Sequence, residues 1–127
     1  MYLLDTSVVL AYILTPKRLG TKTMRLFQKP NQMIVCSVSI AEIYVKQMLG
    51  KLELESPIDT LVPDFGFRSS GFSLEMAMEL PSLSGLVGHD PFDRMIAATA
   101  MATGSTLITS DRALLGLGFD WIVDSYK

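Results

Sequence analysis

Four of the thirteen acidic residues stand where an apolar run ends or a helical pattern begins. They are Asp5, Glu42, Asp93 and Asp111. Clustered carboxylates repel one another and raise one another's pKa values, so such a cluster persists best around a positive charge. A hard divalent cation such as Mg²⁺ or Mn²⁺ supplies that charge and prefers oxygen ligands. The sequence therefore predicts one metal site built from these four carboxylates.

Hydrolysis of a phosphodiester is the chemistry expected of such a site. A bound divalent cation activates water for attack and neutralises charge on the phosphate oxygens, and a second ion could stabilise the leaving oxygen. No side-chain nucleophile is required, and the sequence contains no Gly-x-Ser-x-Gly elbow, phosphate-binding glycine loop or zinc-protease helix motif. With one histidine and one cysteine, the chain cannot form a His/Cys zinc site.

Helix capping is the structural alternative for each acid, because Asp and Glu stabilise helix N-termini. Ser39 and Glu42 have the spacing of a capping box, so capping is the simpler interpretation of Glu42 taken alone. Asp5, Asp93 and Asp111 could likewise be caps. Capping does not require four acids at one edge of a sheet, however, and this coincidence favours the metal site.

The elements that must position these acids alternate along the chain. Strands are expected at residues 2–4, 33–37, 106–109 and 121–123, with a weaker candidate at 67–69. Helices are expected at residues 6–14, 20–29, 40–49 and 91 or 92 to 102, with shorter ones near 57–62 and 74–80. This alternation predicts an α/β fold, a three-layer α/β/α sandwich around a mostly parallel sheet, formed by one domain of residues 1–127. Ligands bind such sheets beyond the carboxyl ends of the strands, which is where the four acids are expected.

Charge is distributed unevenly along the chain. The net charge of −2 argues against a general nucleic-acid binder. Residues 1–51 nevertheless contain seven basic and two acidic residues, whereas residues 52–127 contain four basic and eleven acidic residues. The basic side chains of the first part either contact phosphate or solvate helix faces, and the sequence leaves both interpretations open.

The cellular setting is predicted from the apolar pattern and the cysteine content. The longest apolar run covers residues 8–14 and is far shorter than the roughly 20 residues of a membrane-spanning helix, so no membrane partner is expected. No secretory signal is recognisable, and Cys36, the single cysteine, excludes an internal disulfide. A cytoplasmic location is therefore expected.

Four sequence segments contain the acids and their neighbours. They are LLDTS at residues 3–7, SIAEI at 39–43 followed by LGKL at 49–52, HDPFDR at 89–94 followed by IAA at 96–98, and LITSD at 107–111. Together they resemble the PIN-domain family, and within it the VapC-type toxins of prokaryotic toxin-antitoxin pairs. The resemblance covers nearly the whole chain, and the segment at 89–94 resembles the signature of one subgroup.

The resemblance implies an endoribonuclease that depends on Mg²⁺ or Mn²⁺. In such an enzyme Asp5, Glu42, Asp93 and Asp111 would be the catalytic and metal-binding acids. It further implies a toxin that cleaves RNA of the translation machinery, such as tRNA, and is silenced by a cognate VapB-like antitoxin. Such toxins are usually homodimers.

Five further residues receive roles by the same resemblance. Thr6 and Thr109 are expected to hold carboxylates or metal-bound water, although each could equally be a helix cap or a strand residue. Asp90 could pair with Arg94, approach a second metal or form a turn, and Arg94 could contact phosphate. His89 could act as a general acid, but a lone loop histidine is usually structural and the metal mechanism does not need it.

Two other kinds of protein remain as alternatives. One is a PIN nuclease of RNA maturation or decay that has no antitoxin. The other is a non-enzymatic phosphoacceptor signalling domain, which needs an acidic pair after the first strand and a late lysine. Here Asp5 is followed by Thr6 and Ser7, and Lys127 is the only lysine after Lys51. The sequence thus disfavours the signalling domain.

Overall fold

A parallel β-sheet of five short strands forms the centre of the computed structural model, which describes residues 1–127. The strands are β1 (Tyr2–Leu4), β2 (Met33–Cys36), β3 (Arg68–Ser70), β4 (Thr106–Thr109) and β5 (Ile122–Asp124). Their order is β3-β2-β1-β4-β5, and every neighbouring pair is parallel. The central strand, β1, pairs Leu4 with Val35 on one side and with Ile108 on the other. The predicted α/β fold with a mostly parallel sheet is confirmed.

Seven α-helices connect and cover these strands. They are α1 (Thr6–Leu14), α2 (Thr21–Leu26), α3 (Ser37–Met48), α4 (Ile58–Asp64), α5 (Leu74–Met78), α6 (Pro91–Thr103) and α7 (Arg112–Leu115). Short 3₁₀ segments occupy Pro16–Arg18, Pro30–Gln32 and Leu80–Leu86. None of the helices is both long enough and apolar enough to cross a membrane.

The core consists of two apolar clusters, one on each face of the sheet. Successive strand residues point to opposite faces, so Leu3 and Leu107 belong to one cluster while Leu4 and Ile108 belong to the other. The first cluster includes the inner side of α6, and the second includes residues of α1 and α4. Burial on both faces explains why the strands read as continuous apolar runs. The first polar residue after such a run therefore marks the edge of the sheet.

The start of α3 differs from the sequence-based expectation and removes the capping interpretation of Glu42. The helix begins at Ser37, with Cys36 in the cap position, three residues earlier than predicted. Ser39 is consequently inside the helix and fully buried, where its hydroxyl oxygen accepts a hydrogen bond from Thr6 Oγ1 at 3.1 Å. The predicted capping box is wrong, and Glu42 has no structural role at the helix terminus.

Candidate metal centre

The four predicted acids meet at the carboxyl edge of the sheet. Asp5 directly follows β1, and Asp111 lies two positions after the end of β4. Glu42 belongs to the second turn of α3, and Asp93 belongs to the first turn of α6. Together they line a cavity of about 180 Å³, whose other lining residues are also polar: Thr6, Ser7, Lys46 and Ser110.

Capping accounts for two of the four acids. Asp5 caps α1 and Asp111 caps α7, and each accepts backbone hydrogen bonds of 2.8 to 3.0 Å from the first turn of its helix. Glu42 and Asp93 lie inside their helices and accept no such bond. Capping therefore explains neither of these two carboxylates nor the meeting of all four.

Asp5 is the most deeply buried of the acids, with 2% of its surface exposed. Its Oδ1 accepts hydrogen bonds from Val8 N and Ser7 Oγ, each at 2.8 Å, and its Oδ2 accepts one from Thr109 Oγ1. Burial raises the pKa of Asp5, and these hydrogen bonds oppose the rise only in part. Thr109 is itself held in place, because its hydroxyl oxygen accepts a hydrogen bond from Asp111 N at 2.9 Å. The carboxylate is thus fixed in orientation while its charge is poorly solvated.

Asp93 experiences the charges of all the other acids in the cavity. Burial and the neighbouring charges of Asp111, Asp5 and Glu42 together raise the pKa of Asp93 to about 7. Burial is the larger cause and the neighbouring carboxylates add to it, so the charged form of Asp93 is disfavoured. A bound cation would reverse this shift.

Glu42 supplies the clearest sign that the cavity fits a cation. The residue is 8% exposed, and its Oε1 is buried without a hydrogen-bond partner. Its Oε2 lies 3.4 Å from Lys46 Nζ, the one lysine nitrogen at the cavity. An unpaired, buried carboxylate oxygen is costly. The oxygen-rich donor set of this cavity is the one that a hard divalent cation prefers, so the residues present fit such an ion.

His89 contacts two of the four acids, although only a structural or general-acid role was expected for it. Its Nε2 lies 3.2 Å from Asp111 Oδ2 and 3.3 Å from Asp93 Oδ2. One potential ligand atom from each of these three residues lies within 4.8 Å of the other two. The four-residue separation of His89 and Asp93 was the available sequence signal, and the approach to Asp111 was not visible in any local pattern.

The remaining residues named from the sequence lie at different distances from the centre. Thr109 contacts Asp5 directly, whereas Thr6 lines the cavity but gives its hydroxyl hydrogen to a serine of α3 rather than to a carboxylate. Asp90 is exposed and caps α6 by accepting a hydrogen bond from Phe92 N at 2.8 Å. Arg94 forms no ion pair with Asp90 or any other acid. It borders a separate cavity between α6 and the 3₁₀ segment Leu80–Leu86.

Comparison with known proteins places the chain in a family. The profile of the PIN domain matches residues 2–119. Ribonuclease VapC22 of Mycobacterium tuberculosis is 26% identical over 114 residues, which cover 88% of each chain. Among solved structures, a toxin-antitoxin complex from Klebsiella pneumoniae superposes with a TM-score of 0.69 at 18% identity and covers 100% of this chain and 99% of that one. VapBC2 from Rickettsia felis, bound to a DNA fragment from its promoter, gives a TM-score of 0.67 at 18% identity, with 97% and 96% covered. The fold is shared with these structures, and the chain belongs to the PIN-domain family.

Proposed function

We propose that this protein is an endoribonuclease that requires Mg²⁺ or Mn²⁺. The observation that carries the proposal is the meeting of four carboxylates around one polar cavity, with Glu42 Oε1 buried and unpaired. When bound, the cation would supply the charge that activates water and neutralises the phosphate. Its four acidic ligands would be Asp5, Glu42, Asp93 and Asp111. The identity of the cation is part of the proposal.

The protein's own residues prepare this site by fixing the carboxylates before a substrate arrives. Asp5 is oriented by hydrogen bonds from Ser7, Val8 and Thr109. Asp111 uses Oδ1 to cap α7, while its Oδ2 lies 3.2 Å from His89 Nε2. Preorganised ligands of this kind lose little conformational freedom when an ion binds.

Contact with the phosphate backbone is assigned to basic residues near the cavity. Lys46 lies at its rim with 42% of its side chain exposed, and it contacts only Glu42. If a cation neutralises Glu42, the ammonium group of Lys46 becomes available for a phosphate oxygen. Arg94 and Asp90 are further candidates for substrate contact, since Arg94 belongs to the helix that carries Asp93 and Asp90 caps it.

RNA is the proposed substrate class because VapC22, which is similar to this chain, is named a ribonuclease. We extend the proposal to a toxin that acts on translation-related RNA such as tRNA, forms a homodimer and is silenced by a VapB-like antitoxin. The similarity to the toxin-antitoxin structures supports this step through the fold. A PIN nuclease without an antitoxin is the alternative, and a small adjacent reading frame that encodes a binding partner would distinguish the two.

The direct test is cleavage of a total tRNA pool by the purified chain with Mg²⁺ or Mn²⁺. Discrete products are expected, and they should disappear with EDTA and in Asp5→Asn and Asp93→Asn proteins. Asp120→Asn is a matched control, because Asp120 is an exposed acid just before β5, at the opposite edge of the sheet. Cleavage that survives EDTA or either site substitution would contradict the proposal, as would the absence of cleavage across several RNA pools.

A further inference from the structure

His89 lies between two of the four acids, but the site proposed above gives it no role. His89 is the only histidine of the chain, and its side chain is 25% exposed. Its Nε2 lies 3.3 Å from Asp93 Oδ2 and 3.2 Å from Asp111 Oδ2, so it is nearly equidistant from the two carboxylates. The residue thus reaches oxygens that come from two different elements, α6 and the segment after β4.

Hydrogen bonding accounts for only one of these two contacts. A nitrogen that donates to a carboxylate in a charge-assisted bond lies about 2.7–2.9 Å from the oxygen. His89 Nε2 and Asp111 Oδ2, 3.2 Å apart, form a hydrogen bond that is longer than this, whereas the 3.3 Å contact with Asp93 Oδ2 is not a hydrogen bond. The hydrogen bond to Asp111 therefore leaves the contact of His89 with Asp93 unexplained.

Shared coordination of one ion accounts for the same distances. Ligand bonds of about 2.1 Å at right angles place neighbouring ligand atoms about 3.0 Å apart, and slightly longer bonds widen that separation. The values of 3.2 and 3.3 Å at His89 Nε2 correspond to this spacing. Independently, Glu42 lines the same cavity as Asp93 and Asp111, and its buried Oε1 without a hydrogen-bond partner supports a cation in that cavity.

We propose that His89 Nε2 is a direct ligand of the bound cation, together with Asp93 Oδ2 and Asp111 Oδ2, and that it favours a first-row transition-metal ion over Mg²⁺. This inference rests on the proposed metal-dependent function. Imidazole binds metals as the neutral form, here with its hydrogen on Nδ1. Nitrogen ligands are common for transition metals, whereas Mg²⁺ prefers oxygen and retains water. His89 therefore determines which ion the carboxylates hold.

Pulsed electron paramagnetic resonance of the Mn²⁺-loaded protein tests the proposal directly. The protein is prepared without a histidine tag, so any imidazole ¹⁴N coupling to Mn²⁺ must come from His89. Coupling is expected in the wild-type protein and should vanish in His89→Gln, whose side-chain amide can still donate a hydrogen bond but does not provide imidazole. In the same variant the affinity for Mn²⁺ should fall about tenfold or more, and the affinity for Mg²⁺, measured by competition, should fall less.

The outcomes separate the ligand role of His89 from the proposed nuclease. Bound Mn²⁺ without imidazole coupling in the wild-type protein, or equal losses of Mn²⁺ and Mg²⁺ affinity in His89→Gln, would overturn the ligand role and leave the metal-dependent nuclease intact. Failure of the wild-type protein to bind Mn²⁺ or Mg²⁺ would overturn both. The wild-type spectrum needs no variant, so it decides the ligand role even if His89→Gln folds poorly, and Asp120→Asn should retain the coupling.

Discussion

Asp5 and Asp124 stand at the carboxyl ends of two strands of the same sheet, yet their surroundings are opposite. Asp124 ends β5 and accepts two hydrogen bonds from the Arg112 guanidinium, at 3.0 and 3.1 Å. This pairing lowers the pKa of Asp124. Asp5 follows β1, accepts hydrogen bonds only from neutral groups and has its pKa raised by burial. The chain provides a cationic side chain for the carboxylate of Asp124 and none for that of Asp5.

An arginine of the chain thus balances the charge of Asp124, whereas no lysine or arginine contacts Asp5. Lys46 contacts only Glu42 in the acidic cavity, and burial together with the charges of the neighbouring acids raises the pKa of Asp93. Local rules of stability are often broken at functional sites and satisfied elsewhere in the same protein. The Arg112–Asp124 pair therefore serves as a reference for the cavity acids, of which only Glu42 contacts a lysine or arginine.

The largest expected effect is on RNA cleavage. Asp5→Asn preserves the size of the side chain and an oxygen for Val8 N, but it removes a proposed metal-binding charge. The initial rate of tRNA cleavage should fall at least about a hundredfold, because even outer partners of metal ligands contribute 10–100-fold. Asp124→Asn should cleave at close to the wild-type rate. Similar losses in the two variants would mean that the cavity has no special role.

The gain in unfolding free energy on metal binding should depend on the cavity acids and not on Asp124. An ion that binds only the folded state at about 100 times its Kd raises the free energy of unfolding by about 2.7 kcal/mol. Denaturant unfolding with and without Mn²⁺ should show a gain of this order for the wild-type protein and for Asp124→Asn. In Asp93→Asn the gain should be much smaller. An undiminished gain in Asp93→Asn would place the ion elsewhere.

The stability of the metal-free protein should depend on pH with opposite signs for Asp93 and Asp124. This effect should be smaller than the gain from metal binding. The pKa of Asp93 is about 7 in the folded state and 3.8 ordinarily. Between these two pH values the carboxyl is protonated in the folded state and ionised in the unfolded state. Its contribution to stability is complete below the lower value and is lost as the pH rises through about 7. Asp124, whose pKa is lowered, contributes stability that is lost when the medium is acidified.

Urea unfolding in EDTA from about pH 5 to about pH 8 measures this dependence. The wild-type stability should decline with rising pH because Asp93 must release its proton among other acids. Asp93→Asn should show a flatter profile and greater stability at the alkaline end. A profile that is unchanged by the substitution would show that the crowding of charge around Asp93 is less than the structure indicates.

Breaking the Arg112–Asp124 pair should have the smallest effect. Arg112 is 62% exposed, and surface ion pairs are screened by water and salt. Arg112→Gln should therefore lower the thermal midpoint only slightly, and the difference should shrink further in high salt. A large, salt-independent loss would indicate that the pair orders β5, and it would weaken its use as the reference for the cavity.

Sequence reasoning located the central strands and their acids because apolar runs buried on both faces end abruptly at polar residues. Asp5 and Asp111 are two such cases, each just beyond a buried strand. The four-residue helix α7 escaped prediction, since it is too short to show helical periodicity. The start of α3 was misplaced because the spacing of Ser39 and Glu42 imitates a cap, while tertiary packing instead buries the serine.

The part of the centre that escaped sequence reasoning depends on the loop before α6. Gly88 has a φ of 85°, a conformation that other residues rarely adopt, and it immediately precedes His89. The direction of the chain there is set by this glycine and by packing of Leu86 in the core. Neither feature specifies, without the three-dimensional structure, that the imidazole reaches Asp111 as well as Asp93.

The pairing of β1 with β4 has a consequence for protein synthesis. Thr109, which orients Asp5, is 104 residues further along the chain. Ribosomes add about 5–20 residues per second, so Asp5 waits about 5–20 s before its partner exists. During that interval the cavity lacks both Thr109 and Asp111. If the cavity is the proposed nuclease site, a nascent chain has no assembled site that could act on the RNA of its own ribosome until residues 106–111 have emerged and folded.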